Sequence, residues 1–326
     1  MKNTYIHHAP AEPTQLAEQD IPPLKDDEIL IKNTKSLVSV GTELAWLKEK
    51  GFRGGSGYAS VGEVVEVGKS VTRFKLGDRV VTGGNHAQYT HLGAGSQAYR
   101  VPDGVTDLQA TYCALAGVAM YIASRSDISI GRTVVVVGQG TVGQLVNQMA
   151  RIAGAGMIVG VDVDSRRFTL SKQLGADETI APNRAELDAV LARRIPEACP
   201  PVFIEVTGSS EALGWILEHA PLSSRVVVTG TYMKPLTLDV FKPFIERELD
   251  VIGAHNPKCP TTPSPYHPYT VNFKQNFVLD CIRRGRLRVD ELCDAVLKPV
   301  EAVKFYNDAI AGRPRPMQPA IDWENG

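Results

Sequence analysis

The chain has 326 residues, of which 43% are hydrophobic and 22% charged, with 29 Gly and 21 Pro; this is the composition of a turn-rich globular protein of one or two domains, two being the better fit. Lys and Arg total 35 against 36 Asp and Glu, a formal charge of -1, so no global field draws the protein to nucleic acid or to an anionic membrane. A small uncharged or mixed-charge ligand suits it better.

The first residues, MKNTYIHHAP, lack the apolar core of a signal peptide, and no run reaches the roughly 18 apolar residues of a membrane span, so a cytoplasmic protein is expected. His7 and His8 read as exposed residues of a terminal strand. Residues 1–120 are short valine-rich runs broken by Gly and Pro (EILIKN, GEVVEVG, DRVVTGG, AYRVPDG), the cadence of a small, strongly bent β-barrel. From about 124 to 253 the pattern changes: apolar runs of strand length (TVVVVG, GMIVGVD, PVFIEVTG, SRVVVTG, DVIGAH) alternate with helical stretches, as in βαβ units with a parallel sheet. The proline-dense NPKCPTTPSPYHP follows, then helices around 272–284 and 299–311 in a tail too short to bury its own core, which should fold back onto the first domain. The boundaries expected are 1–123, 124–254 and 255–326. Cys113, Cys199, Cys259, Cys281 and Cys293 include no CxxC pair and are odd in number, so they signal neither a disulfide framework nor a four-cysteine zinc lobe, and read as buried small hydrophobes.

The strongest chemical signal is TVVVVGQGTVGQLVNQ. Gly138, Gly140 and Gly143, with Thr141 and Val142 between them, form GxGxxG directly after an apolar strand and at a helix start, where backbone can approach a pyrophosphate. A second strand ends at Asp162, 19 residues beyond Gly143, placed to accept hydrogen bonds from a ribose diol. Asp162 also repels a 2′-phosphate, which favours NAD(H) over NADP(H), although Arg166 and Arg167 lie close by. Two later strands stop at Thr207-Gly208 and at Gly230-Thr231-Tyr232; these residues read as cofactor contacts or as plain turns.

The succession of GTE, GxxxVGEVVEVG and GDRV, then GxGxxG, then a short C-terminal return resembles the medium-chain dehydrogenase/reductase superfamily over nearly the whole chain. VPDGVTDLQATYCALAGVAMYIA at 101–123 looks like that family's linker helix, and VFIEVTGSSEAL at 202–213 like its fourth cofactor-domain strand. The resemblance implies an α/β protein with a GroES-like β-barrel catalytic domain and a Rossmann cofactor domain. It also implies a homodimer, because DVIGAH at 250–255 is similar to the family's sixth strand, whose edge commonly pairs with its twin.

In zinc-dependent members the stretch resembling 57–68 begins Gly-His-Glu, and its histidine binds the catalytic zinc; here Tyr58 and Ala59 follow Gly57. Val40 stands where a metal cysteine precedes the Gly-Thr-Glu motif, and Val118 at the third ligand position. Three ligands drawn from Cys, His and carboxylate are needed, so no metal is expected. The departures are most similar to the zinc-lacking group that contains bacteriochlorophyllide dehydrogenase, although Ala59 replaces a glutamate often kept there. The resemblance puts Thr42 where a hydroxyl bonds the substrate oxygen. Tyr58 is then either an oxyanion donor or an aromatic filling the vacated space, and His86 either a titrating partner or a turn residue. Glu43 reads as a structural acceptor in the barrel mouth in preference to a catalytic carboxylate. In this fold Trp46, Tyr232, His255 and Asn256 line the cleft, Tyr232 and His255 toward the cofactor and Trp46 and Asn256 toward a polar substrate. Lys48, Lys50 and Arg53 are a solvated loop, or recognise a carboxylate or phosphate. The implied activity is zinc-independent, NAD(H)-dependent interconversion of an alcohol and a carbonyl on a small polar molecule. The alternatives are an NADH-dependent enoyl or quinone reductase and a non-catalytic nucleotide-binding relative.

Overall fold

Valine and isoleucine alternate with polar residues in the N-terminal third, and these runs become short strands in the computed structural model, which describes residues 1–49, 51–93, 95–194, 199–232, 234–265 and 267–325. β1 (Lys2–His8) pairs antiparallel with β2 (Gln15–Asp20) and β4 (Gly54–Gly55). β3 (Glu28–Leu37), β5 (Ser60–Val67), β6 (Arg79–Thr82) and β8 (Ala98–Arg100) follow one another across a larger antiparallel sheet, and β7 (Tyr89–Gly93) bonds to the start of β3. Register shifts at Leu30/Ile31 and Asn33/Lys35 bend the β3–β5 pair, the curvature that the valine and glycine pattern of 57–68 implies. Between β3 and β4 lies α1 (Val40–Glu49), where the sequence pattern gave no helix; α2 (Asp107–Thr111) starts at a Thr106 capping box.

α3 (Cys113–Arg125) leads to six parallel strands: β9 (Thr133–Val137), β10 (Met157–Val161), β11 (Glu178–Ile180), β12 (Val202–Glu205), β13 (Arg225–Val228) and β14 (Asp250–Gly253). α4 (Thr141–Ile152), α5 (Phe168–Gln173), α6 (Arg184–Leu191) and α7 (Ser210–His219) connect them. β9 and β12 are buried throughout, which is why β9 reads as an unbroken apolar run and β12 as one interrupted only by Glu205. The spatial order β11-β10-β9-β12-β13-β14 is that of a doubly wound nucleotide fold, with the order reversing at β9 and β14 at one edge. β11 is the one strand that the apolar runs do not announce, being three residues long with Glu and Thr in it.

α8 (Val271–Arg283), β15 (Ala295–Leu297), α9 (Pro299–Ile310) and β16 (Pro319–Asp322) close the chain. β16 pairs antiparallel with β3, so the tail joins the sheet of the first unit. There Ile6, Leu44 of α1, Phe305 and Tyr306 of α9, and Trp323 share one buried core. Met1–Ala114 and Gln275–Gly326 make up one compact unit and Leu115–Lys274 a second; the divisions fall inside α3 and α8, where no change of composition marks them. Among the described residues no helix is long and apolar enough to cross a membrane. Cys113, Cys259 and Cys281 are buried and Cys293 partly so, whereas Cys199 is exposed, against the reading of all five as buried.

Candidate active site

The second unit carries the nucleotide turn. β9 ends at Gly138, whose φ of +102° suits glycine; a Cβ there would fall 2.6 Å from Thr207 Cγ2, and one on Gly143 1.8 Å from the Gly138 carbonyl oxygen. Gly140 is different, since a Cβ would meet nothing within 4 Å, so the space in front of it is open. Gly140 is also the N-cap of α4 and offers no side-chain cap, and a helix start of this kind favours an anion. Thr141 and Val142 form the first turn of α4. These features fit a pyrophosphate.

Asp162 follows β10 and is only 6% exposed. Its Oδ2 accepts from the Gln139 amide at 2.6 Å and from Arg167 Nη1 at 2.9 Å, and its Oδ1 from the Asp164 amide at 2.8 Å. One further hydrogen bond fits on Oδ1, as a ribose hydroxyl requires. Arg166 hydrogen-bonds Asp164 and holds that carboxyl down at about 2. Both arginines are thereby neutralised within the turn.

Thr207 and Gly208 follow β12, and Gly230, Thr231 and Tyr232 follow β13, at the carboxyl ends of neighbouring strands. Tyr232 is not a free polar tip for substrate: its hydroxyl donates to Glu205. Exposed His255 begins a short 3-10 turn, and Asn256 Oδ1 accepts from Lys274 Nζ at 2.5 Å. Glu205 and Lys274, both buried, escaped the sequence reading, although a glutamate inside an apolar strand is itself a signal.

In the first unit the α1 start and the β5 entrance meet. The half-buried Tyr58 donates its hydroxyl to Ser39 Oγ and is hydrogen-bonded to Thr42. Burial, aided by the charge of Glu43, raises its phenol above the ordinary value against the pull of the Ser39 and Thr42 hydroxyls, so Tyr58 keeps its proton. The pull of Ser39 and Thr42 is too small to bring it below its ordinary value.

Glu43 is the hub beneath, 1% exposed. It accepts from the Ser39 amide at 2.7 Å, the Tyr306 hydroxyl at 2.6 Å and His86 Nε2 at 3.2 Å. Burial alone would raise the Glu43 carboxyl, but His86, Tyr306 and the Ser39 amide hold it below the usual value. It is the structural acceptor expected. His86 differs from the candidate proton donor of the sequence reading: it is 0% exposed, with both ring nitrogens engaged. Trp323 Nε1 donates to Ser36 Oγ, which is hydrogen-bonded to His86 Nδ1, and His86 Nε2–H donates to the Glu43 carboxylate. Ser39, Ser36, Tyr306 and Trp323 gave no signal in the sequence, because their partners are remote from them.

His8, read as exposed, is 2% exposed, because its ring lies between Thr14 Oγ1 at 2.9 Å and Ser56 Oγ at 2.8 Å and edge-on to Tyr306. Burial, with His86 and His7 adding and Glu43 opposing, lowers its pKa from 6.5 to about 4. The unfolded chain then takes up a proton that the fold refuses. His8 contributes stability fully above pH 6.5, and loses it as pH falls toward 4, up to about 3 kcal/mol. Denaturant unfolding from about pH 7 to about pH 4.5 should show this fall, with a shallower slope for His8→Gln; an identical slope would remove His8 as its source.

Trp46 stacks on Phe52 with ring centroids 6.1 Å apart, giving an apolar wall. Lys48 belongs to the last turn of α1 instead of a loop, Arg53 is exposed, and Lys50 lies outside the described residues. At the positions that the resemblance gives to zinc ligands, Val40 and Val118 carry no donor atom, and the Tyr58 hydroxyl is engaged by Ser39 and Thr42.

Comparison with known proteins gives a consistent result. The profile of the family described as zinc-binding dehydrogenase matches residues 141–267. Sorbitol dehydrogenase of Bombyx mori is 24% identical over 286 residues, 75% of this chain and 81% of that protein. L-Threonine 3-dehydrogenase of Marinomonas sp. strain MWYL1 is 27% identical over 213 residues, 56% of this chain but only 62% of the relative. In fold, galactitol-1-phosphate dehydrogenase from Escherichia coli superposes with a TM-score of 0.83 at 18% identity, covering 99% of this chain and 100% of that one. The chain is thus similar to zinc-binding dehydrogenases over residues 141–267, and its two-part fold of GroES-like and Rossmann domains is that of the solved alcohol-dehydrogenase-like structures.

Proposed function

We propose that the protein is a zinc-independent, NAD(H)-dependent oxidoreductase, of a zinc-lacking branch of its family, that interconverts an alcohol and a carbonyl on a small polar, polyol- or sugar-like substrate. The observation that carries this reading is the hydroxyl cluster of Ser39, Thr42 and Tyr58, built at the α1 start and the β5 entrance where metal-dependent relatives place ligands. The dinucleotide, when bound, supplies or takes up the hydride. Gly138, Gly140, Gly143 and the α4 start would hold its pyrophosphate, and Asp162 its adenosine ribose. Tyr58, protonated across the working pH range, donates to the substrate oxygen as negative charge builds there, and an alkoxide is basic enough to take that proton. Thr42 steadies the phenol and offers a second donor. In the oxidative direction the substrate proton passes to Tyr58 only as Tyr58 hands its own proton on to Ser39 and from there to solvent. The relatives named for sorbitol and threonine support a hydroxylated substrate, with Trp46 as its apolar wall.

NAD(H) is preferred because Asp162 keeps room for a ribose hydroxyl while Asp162 and Asp164 occupy the arginines that a 2′-phosphate would need. Calorimetry should find NADH bound at least about tenfold more tightly than NADPH, the scale of a good hydrogen bond to a charged group. Asp162→Ser should narrow the gap. In assays with a panel of polyols, sugar alcohol derivatives and conjugated enones, the hydroxylated compounds should turn over. Tighter NADPH binding would pass control of the pocket to Arg166 and Arg167, and turnover of enones alone would favour a C=C reductase.

A further inference from the structure

Glutamate is out of place in β12. The strand reads Val-Phe-Ile-Glu with every residue buried, and Glu205 is 0% exposed. A carboxylate is tolerated there only when donors surround it. Four do: Oε1 accepts from the Thr207 amide at 2.7 Å and from the Thr207 hydroxyl, while Oε2 accepts from the Gly208 amide at 3.2 Å and from the Tyr232 hydroxyl. Burial, then the Glu205 carboxylate, pushes the Tyr232 phenol well above its ordinary value, so it remains a donor. One side chain therefore ties the loop after β12 to the loop after β13. The two loops also touch backbone to backbone, since a Cβ on Gly230 would fall 2.3 Å from Gly208 Cα and one on Gly208 2.8 Å from the Thr231 carbonyl oxygen.

The sheet order says what this tie serves. Pyrophosphate belongs at the β9 turn and the adenosine ribose at Asp162 beyond β10, on one side of β9; β12 and β13 lie on the other side. The remaining half of a dinucleotide, its nicotinamide riboside, then falls over the tied loops. The geometry points to Glu205 as a positioning residue that fixes the seat of the nicotinamide half through Thr207, Gly208 and Tyr232. This rests on the dinucleotide-binding reading proposed above.

The test compares NADH with ADP-ribose, which lacks the nicotinamide, by calorimetry on the full chain. Glu205→Gln turns one acceptor into a donor facing two of the four donors, and should weaken NADH about tenfold or more while ADP-ribose stays within about twofold of wild type. Tyr232→Phe removes one donor and leaves no buried group unpaired; NADH should weaken by about three- to fivefold, again with ADP-ribose unchanged. Should Glu205→Gln not fold, Tyr232→Phe decides alone. Equal weakening of both ligands, or of neither, would overturn the assignment. A wild-type protein that binds neither ligand would overturn the dinucleotide reading instead.

Discussion

Tyr58→Phe is expected to lower turnover about 10²–10³-fold, the cost of losing one preorganised oxyanion donor. The change removes a single oxygen and leaves the ring, so it separates a donor from an aromatic that only fills space. Cofactor affinity should hold, because the residues assigned to the dinucleotide lie in Leu115–Lys274 and Tyr58 does not. Folding stability should fall little, since Ser39 and Thr42 are left with hydroxyls that can rotate to other acceptors. Thr42→Val should lower turnover in the same direction by less, because Tyr58 retains Ser39. Steady-state rates with saturating cofactor are the measurement, and near-wild-type turnover for Tyr58→Phe would return this tyrosine to packing.

Glu43→Ala should cost at least about 3 kcal/mol of folding stability. It strands three buried donors, the Ser39 amide, His86 Nε2 and the Tyr306 hydroxyl, and each unsatisfied group costs about 1–3 kcal/mol. Against a typical total of about 5–15 kcal/mol, the variant stands near the threshold of folding. Tyr306→Phe removes one donor and leaves the carboxylate two, so its loss should be about 1 kcal/mol. Urea unfolding of both variants gives the comparison. A Glu43→Ala protein within about 1 kcal/mol of wild type would mean that water reaches the cluster and that Glu43 is not its hub.

Periodicity made the second unit legible and left much of the first obscure. Parallel strands covered on both faces are mostly apolar, so β9, β10, β12 and β13 stand out as apolar runs, and GQGTVG follows the first of them. β11 escaped because ETI carries no such run. α1 escaped because its start rests on Ser39 and Glu43 binding each other across one turn, within a stretch of only ten helical residues. The hydroxyl and carboxyl cluster is harder still. Residues 8, 43, 86, 306 and 323 are far apart in the chain and come together through the tertiary fold, and no local pattern announces contacts of that separation. Thr42 and Tyr58 were visible as departures from, or survivals of, a known motif. What that view lacked was Ser39, which holds the phenol, and the burial that keeps it protonated.

The central claim is that side-chain hydroxyls do the work of a metal. It is tested most directly by measuring the metal content of the purified protein together with its NAD-linked turnover of a polyol before and after exhaustive chelation. With valine at two of the three ligand positions and a protonated tyrosine at the third, the protein should hold no stoichiometric zinc and keep its full rate in chelator. One tightly held zinc per chain, removed together with activity and restored by adding zinc back, would contradict the account.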